Sequence, residues 1–569
     1  MSGKSLTAIR EDLGKTLAKK KVLVLGGGFG GVFAAKELEE RGRDLIDVEL
    51  INDNNYFVFQ PLLPEVAAGG IHSSDAVVPL RQLLPKVQFR QAEVAGIDFD
   101  KKMVIVVQGA SRIPVELPYD ELIVGLGTTV DLNRFPGLPE HALTMKQVSD
   151  AHKLRNHVLS CLERADVATN DAAKRQLMTF VVVGAGFSGV ETVGEVNALI
   201  HQALRYYPHL TRHDVRVLLV EYADRILPTF SKELADYATQ RLKLQGIEVL
   251  TGVGTKSATS TAVELTTGAL IPTSTIVATI GNGPRQLISS LGLDMKWGRI
   301  QTNRFMQVPG QPDVWAVGDA ALIPMKDEPG DDPQAYAPQT AQFAVREGKQ
   351  LADNLLAELR GKTLKPFSYE SKGALASLGT TKAVADVYGL KLTGFFAWLL
   401  WRGFYLSFIP GFQAKARLLA TWLLNVFMPP NLVLIQGPPP ATRYIHYRKD
   451  DVVFEPGMVL DGFYLVLSGK LKLTIDNKET GEHLVREFGP GGHFGERVLI
   501  RPIMRTGLVE ALEDTEVLFV AKKDFIRFAR DFPVLDDYFV DYIKKTFGGE
   551  GKSFAPQGGE TQPQLEKSN

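Results

Sequence analysis

The chain has 569 residues, with 64 Lys and Arg against 65 Asp and Glu and a formal net charge of -1, which at about 150 residues per domain makes about three or four globular domains. So small a charge argues against nucleic acid as the main ligand, because neutralising phosphates needs a surplus of Lys and Arg, and 45% hydrophobic residues exclude disorder as the bulk state. The one cysteine, Cys161, excludes an internal disulfide framework, a CxxC redox pair, a Cys-rich zinc site and an iron-sulfur cluster. An electron carrier of this composition must borrow a cofactor.

In chain order, residues 1 to 20 carry Lys4, Arg10, Lys15, Lys19 and Lys20, interrupted by Glu11 and Asp12, and no apolar core follows. A signal peptide is not expected, and a cytosolic protein is. At 21 to 31 the run KVLVLGGGFGG is a strand pattern leading into Gly26, Gly28 and Gly31 at GxGxxG spacing, followed by the helical FAAKELEERG and the strand VELIN. Glycines at that spacing let a pyrophosphate approach the backbone at a helix N-terminus, where N–H groups and the positive dipole end favour anions. The alternative is a plain Gly-rich turn. An acidic ribose partner is usual about 20 residues further on, but Asn52 stands at the strand end, so Asp53 beside it is the candidate.

A second fingerprint, FVVVGAGFSG at 180 to 189, places Gly184, Gly186 and Gly189 before another helix pattern and the strand VRVLLVE, which ends at Glu221. Two such sites suit an electron carrier without redox cysteines: one holds a flavin and the other brings a nicotinamide to it. Glu221 would accept from a ribose 2'-OH and repel a 2'-phosphate, favouring NADH over NADPH, with Arg225 nearby moderating that preference. A simple strand cap is the other use for Glu221. ELIVGLGTT at 121 to 129 and STIVATIGNGP at 274 to 284 are buried-strand patterns ending in Gly-rich turns. In DVWAVGDA, Asp319 is placed to bond a flavin ribityl chain, or else to form a turn. A helix is predicted over 337 to 356, with Pro338 in its first turn and its N-terminal donors toward an isoalloxazine.

Together, GGGFGG, NNYFVFQPLLPEVAAG, GAGFSGVETVGE, AVGDAA and TAQFAVREGK, in this order, resemble type II NADH:quinone oxidoreductases over about residues 20 to 430. The resemblance implies an α/β two-dinucleotide-binding flavoprotein with two Rossmann-like domains: FAD in 20 to 135 with 295 to 380, and NADH in 136 to 294. Hydride would pass from NADH to the flavin and electrons on to a membrane quinone, without proton pumping. It also places Glu191 where nicotinamide, flavin and quinone meet, to orient the nicotinamide or assist proton delivery, and Gln342 beside the flavin and quinone head. Some members carry a His three residues beyond that glutamine, where this chain has Val345. Disulfide reductases and sulfide:quinone oxidoreductases need at least two redox cysteines and are excluded by Cys161 standing alone. The ten His show no metal-ligand spacing, and no metal site is assigned.

No stretch reaches the roughly 18 to 20 nearly uncharged apolar residues of a spanning helix; the nearest, 394 to 409, is broken by Arg402. Between 391 and 436 stand Lys391, Arg402, Lys415 and Arg417 without an acid, together with Trp398, Trp401 and Trp422. Leu418, Leu419, Trp422, Leu423 and Val426 share one helical face, with Lys415, Thr421 and Asn425 off it. These features predict an amphipathic helical segment, 381 to 436, lying on the lipid bilayer surface at the cytoplasmic side of the inner (cell) membrane. A core helix or a homodimer contact is the alternative, and the resembling family places its membrane anchor here.

After the stiff QGPPP at 436 to 440, short alternating strands between Gly turns predict a β-roll closed by the helical KKDFIRFARDF. FYLVLSGKLKL, PGGHFGE and Arg505-Thr506 resemble the cyclic-nucleotide-binding domain over 445 to 545. In that resemblance Glu496 accepts from the ribose 2'-OH, backbone N–H groups beside it, at Gly495, together with Arg505 neutralise the cyclic phosphate of cAMP or cGMP, and Thr506 adds a hydroxyl contact more typical of cGMP sites. Arg497 departs from the apolar residue common there, and a β-roll kept for interaction only is the alternative. Residues 547 to 569 read as a disordered tail. The alternatives to the whole reading are a soluble NAD(P)H-dependent flavin reductase with another acceptor and a redox sensor coupled to the β-roll.

Overall fold

The computed structural model describes residues 19–109, 113–425, 427–428, 431–434, 442–456, 462–477, 482–495 and 507–522, with a few isolated positions beyond. Glu496, Arg505, Thr506, Val426, most of the helical run after 521 and the tail at 547 to 569 lie outside the described residues. The chain divides into two compact units, one running up to Leu434 apart from Thr259–Thr261, and one made of the residues beyond it together with Thr259–Thr261.

In the larger unit β1 (Lys20–Leu25) runs into the first glycine loop and α1 (Phe29–Gly42), then returns as β2 (Ile46–Asn52). A short helix, α2 (Leu63–Ala67), precedes β3 (Gln88–Gln91) and β4 (Glu121–Val124). The chain then enters a second sheet through β5 (Ala142–Thr144), the long α3 (Val148–Asp166) and β6 (Thr179–Val183). From β6 follow α4 (Phe187–Ala203), β7 (Arg216–Glu221), β8 (Ile247–Thr251) and β9 (Thr275–Ala278). It comes back to the first sheet with β10 (Gln307–Val308) and β11 (Gln311–Ala316).

The two sheets repeat one plan. The first has the order β10-β11-β4-β1-β2-β3 and the second β5-β9-β6-β7-β8. In each, the strand before the glycines is central, paired in parallel with the next strand on one side and with a later return strand on the other. Central parallel strands are covered on both faces, which is why VLVL and TFVVV are continuous apolar runs buried throughout.

The helix predicted over 337 to 356 is α5 (Ala341–Leu359), and Thr340 is its N-cap, so Pro338 lies ahead of the helix rather than in its first turn. It crosses α1 closely: a Cβ on Gly348 would strike the Gly30 carbonyl oxygen. Then come β12 (Gly373–Ser377), α6 (Gly394–Phe408) and α7 (Phe412–Leu424), the last two forming a hairpin over the segment read as membrane-facing.

The hairpin differs from its expectation in several side-chain roles. Trp401 and Trp422 are 1% and 6% exposed, so they are interior residues and not interfacial ones. The apolar stripe is also divided: Leu418 and Trp422 pack inward, whereas Leu419 and Leu423 are exposed. Thr421 and Asn425, expected on the far side, dock on the body by bonding Asp75 and the Gly70 carbonyl. The cations are largely consumed as well: Lys391 pairs with Glu233 at 3.0 Å, Arg402 with Glu65 at 3.5 Å and Arg417 with Asp75 at 2.8 Å. Among the described residues no helix is long and apolar enough to cross a membrane.

The smaller unit is β-rich, as predicted. Its strands are β13 (Arg443–Tyr447), β14 (Val452–Phe454), β15 (Gly462–Ser468), β16 (Leu471–Asn477), β17 (Glu482–Phe488), β18 (His493–Phe494), β19 (Leu508–Ala511) and β20 (Thr515–Ala521). They form two four-stranded sheets, β13-β20-β15-β18 and β14-β19-β16-β17. Tyr464, Val517 and Phe519 from one sheet and Phe454, Leu471 and Val509 from the other share a single core.

Candidate active site

The two glycine loops solve one steric problem alike. Gly26 and Gly184 have φ of 105° and 97°, a region that side chains rarely adopt. A Cβ on Gly31 would strike the Gly26 carbonyl oxygen, and one on Gly189 would strike that of Gly184. Gly28 and Gly186 instead face open space, with nothing within 4 Å of an added Cβ. The first and third glycines therefore close the turn, and the middle one leaves room at a helix N-terminus for a phosphate.

Behind each loop the residue at the tip of the second strand holds it in place. Glu221 accepts from the Ala185 N–H at 2.5 Å and the Ala223 N–H at 2.9 Å. Asn52 accepts from the Gly27 N–H at 2.8 Å and donates to the Asn54 carbonyl at 2.8 Å. An amide thus replaces the usual acid because one of its contacts needs a donor. Asp53 is exposed, and its carboxylate accepts from the Asn54 N–H at 2.9 Å.

One cleft of about 1150 Å³ runs between the two halves. The first half contributes Gly26, Gly28, Asn52 and Asp53; the second contributes Phe187, Ser188, Glu191 and Thr279. Asp319, Thr340 and Gln342 complete it on one side, and Phe404, Tyr405 and Phe408 of α6 on another. Gly31, Gly184, Gly186, Gly189 and Glu221 do not line the cleft; they shape the loops behind it.

Glu191 is buried in the cleft wall. Gly194, one turn further along α4, has backbone atoms of Leu378 within 2.7 Å of its missing Cβ, so α4 lies close against the end of β12. That approach lets the Ser377 N–H reach Glu191 Oε1 at 3.0 Å, while the Trp401 indole N–H reaches the same oxygen at 2.9 Å. Burial outweighs both donors and pushes the carboxyl up to about 8. Glu195, on the same helix, is also pushed up by burial, with Glu65 and Glu191 adding to the effect and Arg402 opposing it. Tyr405 is held well above its ordinary value by burial and by Glu191, so it stays a neutral phenol.

Gln342 is more constrained than its residue type suggests. Its amide donates to Ser371 Oγ at 3.1 Å and to the Gly373 carbonyl at 3.2 Å, and accepts from Tyr369 at 3.2 Å. Both donor hydrogens are committed, so donation to a quinone carbonyl requires exchanging one of these bonds. Val345 is buried.

Four residues at the site escaped sequence reasoning. Lys146 lines the cleft near Thr128, and burial pulls its ammonium below the ordinary value while Asp319 opposes that. Arg285 lines it too, and its Nε is buried without a partner. Glu347 accepts the Gly318 N–H at 2.8 Å and so fixes the turn that presents Asp319; burial pushes it up to about 7. Glu65 receives the Trp422 indole at 2.7 Å. An acid embedded in the apolar run PLLPEVAAG was the available signal for it.

The cleft fits FAD by its donors. The space before Gly28, the start of α1 and the orphaned, buried Thr340 Oγ1 at the N-cap of α5 all await an acceptor-rich ligand. Among the described residues no group of three or more His, Cys, Asp or Glu is placed to hold a metal ion.

Residues 20–348 match the pyridine nucleotide-disulphide oxidoreductase family, and residues 371–429 match the NDH2 C-terminal domain. The type II NADH:quinone oxidoreductase Ndh of Mycobacterium tuberculosis is 31% identical over 424 residues, covering 72% of this chain and 88% of that protein. The chain belongs to the type II NADH:quinone oxidoreductases. The external alternative NADH-ubiquinone oxidoreductase of Yarrowia lipolytica is 28% identical, covering 71% of this chain and 79% of that protein. A solved structure of NDH2 from Plasmodium falciparum in complex with NADH shares the fold, with a TM-score of 0.67 at 19% identity over 73% of this chain and all of that one. As a type II NADH:quinone oxidoreductase the chain uses FAD and NADH. The disulphide chemistry in the broader family's description does not apply, since Cys161 is alone and buried. Residues 444–532 match the cyclic nucleotide-binding domain, so this member carries that domain after the NDH2 C-terminal one.

Proposed function

We propose that this chain is a peripheral membrane enzyme that oxidises NADH and reduces a membrane quinone without pumping protons, with Glu191 holding the proton that the quinone requires. Bound FAD supplies two-electron chemistry, accepting hydride from NADH and releasing electrons to the acceptor. Quinone reduction takes two electrons and two protons, whereas NADH delivers two electrons and one proton, so each turnover must draw one further proton from solvent. The observation that carries the reading is Glu191: a buried carboxyl in the wall of the cleft, whose burial pushes it up to about 8. Both its donors fall on Oε1, which leaves Oε2 to carry the proton. A proton donor with a value near the working pH is the efficient one.

In this reading 20 to 135 with 295 to 380 hold FAD on Gly26, Gly28, Gly31, Asp53 and Asp319. Residues 136 to 294 hold NADH on Gly184, Gly186, Gly189 and Glu221. Gln342, fixed by Tyr369, Ser371 and Gly373, positions the quinone head. The hairpin α6–α7 seats the enzyme on the cytoplasmic leaflet through exposed apolar side chains such as Phe396, Phe412 and Phe427. The C-terminal roll binds a cyclic nucleotide and regulates the enzyme.

The test is anaerobic. NADH should bleach the flavin absorbance of the purified protein, and a quinone should restore it, while Glu191→Gln slows the second step. Turnover with dyes but not quinones would make the chain a flavin reductase with another acceptor; bleaching without turnover would make it a sensor.

A further inference from the structure

We propose that Trp401 is a positioning residue for quinone reduction: its indole N–H, delivered by the hairpin, directs the Glu191 proton to Oε2 and eases its release from that carboxyl. The inference rests on the reading of Glu191 as proton holder and deepens it.

Among the described residues the indole N–H has Glu191 as its acceptor. Trp401 is among the largest fully buried side chains, and its Nε1 donates to Glu191 Oε1 at 2.9 Å. Its ring is held edge-on against Tyr405, with centroids 4.7 Å apart, and Tyr405 lines the cleft. A buried N–H without an acceptor is costly, so indole and carboxyl fix each other's orientation. The same arrangement recurs one helix on, where Trp422 of α7 donates to Glu65. Each helix of the hairpin thus reaches inward with one indole to one buried acid, while its other face is exposed.

The titratable groups around Glu191 are Glu195 on its own helix, Glu65 on α2 and Tyr405 on α6, with the Ser377 N–H reaching it from β12; Arg402 on α6 acts on Glu65 and Glu195. Glu65 and Glu195 disfavour a second negative charge. The two N–H donors oppose them, and Trp401 is the side-chain donor of the pair. Removing its N–H must therefore strengthen the hold on the proton.

The experiment follows flavin reoxidation by a short-chain benzoquinone against pH in a stopped-flow instrument. The wild-type rate should decline above about pH 8, the value to which burial pushes Glu191. Trp401→Phe keeps the ring and loses the donor, and should move this decline upward by about one pH unit. A decline at the wild-type pH would overturn the role of Trp401. Persistence of the decline in Glu191→Gln would instead overturn the reading of Glu191 itself, so the two failures are separable. Should Trp401→Phe lose its flavin, infrared difference spectra of the wild-type protein decide. The protonated-carboxyl band that Glu191→Gln abolishes must titrate together with an indole N–H band; an indole band that stays constant through that titration overturns the proposal.

Discussion

Asn52 and Glu221 occupy the same place in the two halves of the molecule: each ends the strand beside a glycine loop and accepts a backbone N–H from that loop, Gly27 in one case and Ala185 in the other. The amide at Asn52 also donates to the Asn54 carbonyl, which a carboxylate cannot do.

Asn52→Ala should therefore loosen the first loop. Two lost hydrogen bonds at about 1 kcal/mol each correspond to roughly tenfold or greater weakening of FAD retention. Flavin released per chain on dilution measures it, and retention equal to wild type would show that the loop holds itself.

Glu221→Gln keeps one acceptor for the loop but removes the charge that would repel a 2'-phosphate. Arg225 lies close in sequence, and its guanidinium donates to the Pro228 carbonyl at 3.1 Å. The kcat/KM ratio of NADH to NADPH should fall by about tenfold; an unchanged ratio would place coenzyme selection elsewhere.

Stability should depend on pH with a definite sign. An unfolded glutamate releases its proton near 4.5, but burial keeps Glu191 protonated to about 8. Between those values the native state binds more protons than the unfolded one, so stability falls as pH rises through the window and the loss is complete above it. Glu347, pushed up to about 7, acts in the same direction. The Tm of the holoenzyme should drop from pH 6 to pH 9, and Glu191→Gln should recover part of the drop, on the order of 1.4 kcal/mol for each pH unit between pH 6 and the folded value. Parallel Tm curves for the two proteins would contradict this.

Deleting 391 to 436 would test membrane attachment badly, because it removes Trp401 and Trp422 from the core. Phe412 and Phe427, at 84% and 88% exposed, are better targets. The double change to Ser should reduce liposome pelleting by about tenfold or more, given roughly 1.5–3 kcal/mol for burying each aromatic side chain, with flavin content unaltered. Equal pelleting would assign the exposed face to a protein contact.

The cyclic-nucleotide domain makes a separate prediction. Wild-type protein should bind cAMP or cGMP saturably in calorimetry, and Arg505→Ala should weaken binding by about tenfold or more through loss of charge-assisted bonds to the phosphate. No heat from either nucleotide would leave the roll as an interaction module.

The two dinucleotide folds were legible because their signals are local. Gly26, Gly28 and Gly31 meet steric demands set within a few residues, and the apolar runs before them announce buried parallel strands. The side-chain roles within the hairpin were harder to read for the opposite reason. Trp401 and Trp422 find their acceptors 210 and 357 positions away. Lys391 and Arg417 pair with acids 158 and 342 positions away. Nothing near 391 to 436 shows that its cations are already partnered, so a stretch without acids looked like a charged surface. Glu191 stands in a local motif, but its elevated proton affinity arises from burial among distant elements, which the N–H donors from β12 and α6 only partly oppose.

Those long-range ion pairs bear on how the enzyme would be handled. With Lys391, Arg402 and Arg417 paired to acids outside it, the hairpin has less charge available for anionic headgroups. Attachment through its aromatic face would behave as a partition rather than an ion exchange: a high-salt or carbonate wash should leave the enzyme on the bilayer, and a mild detergent should release it.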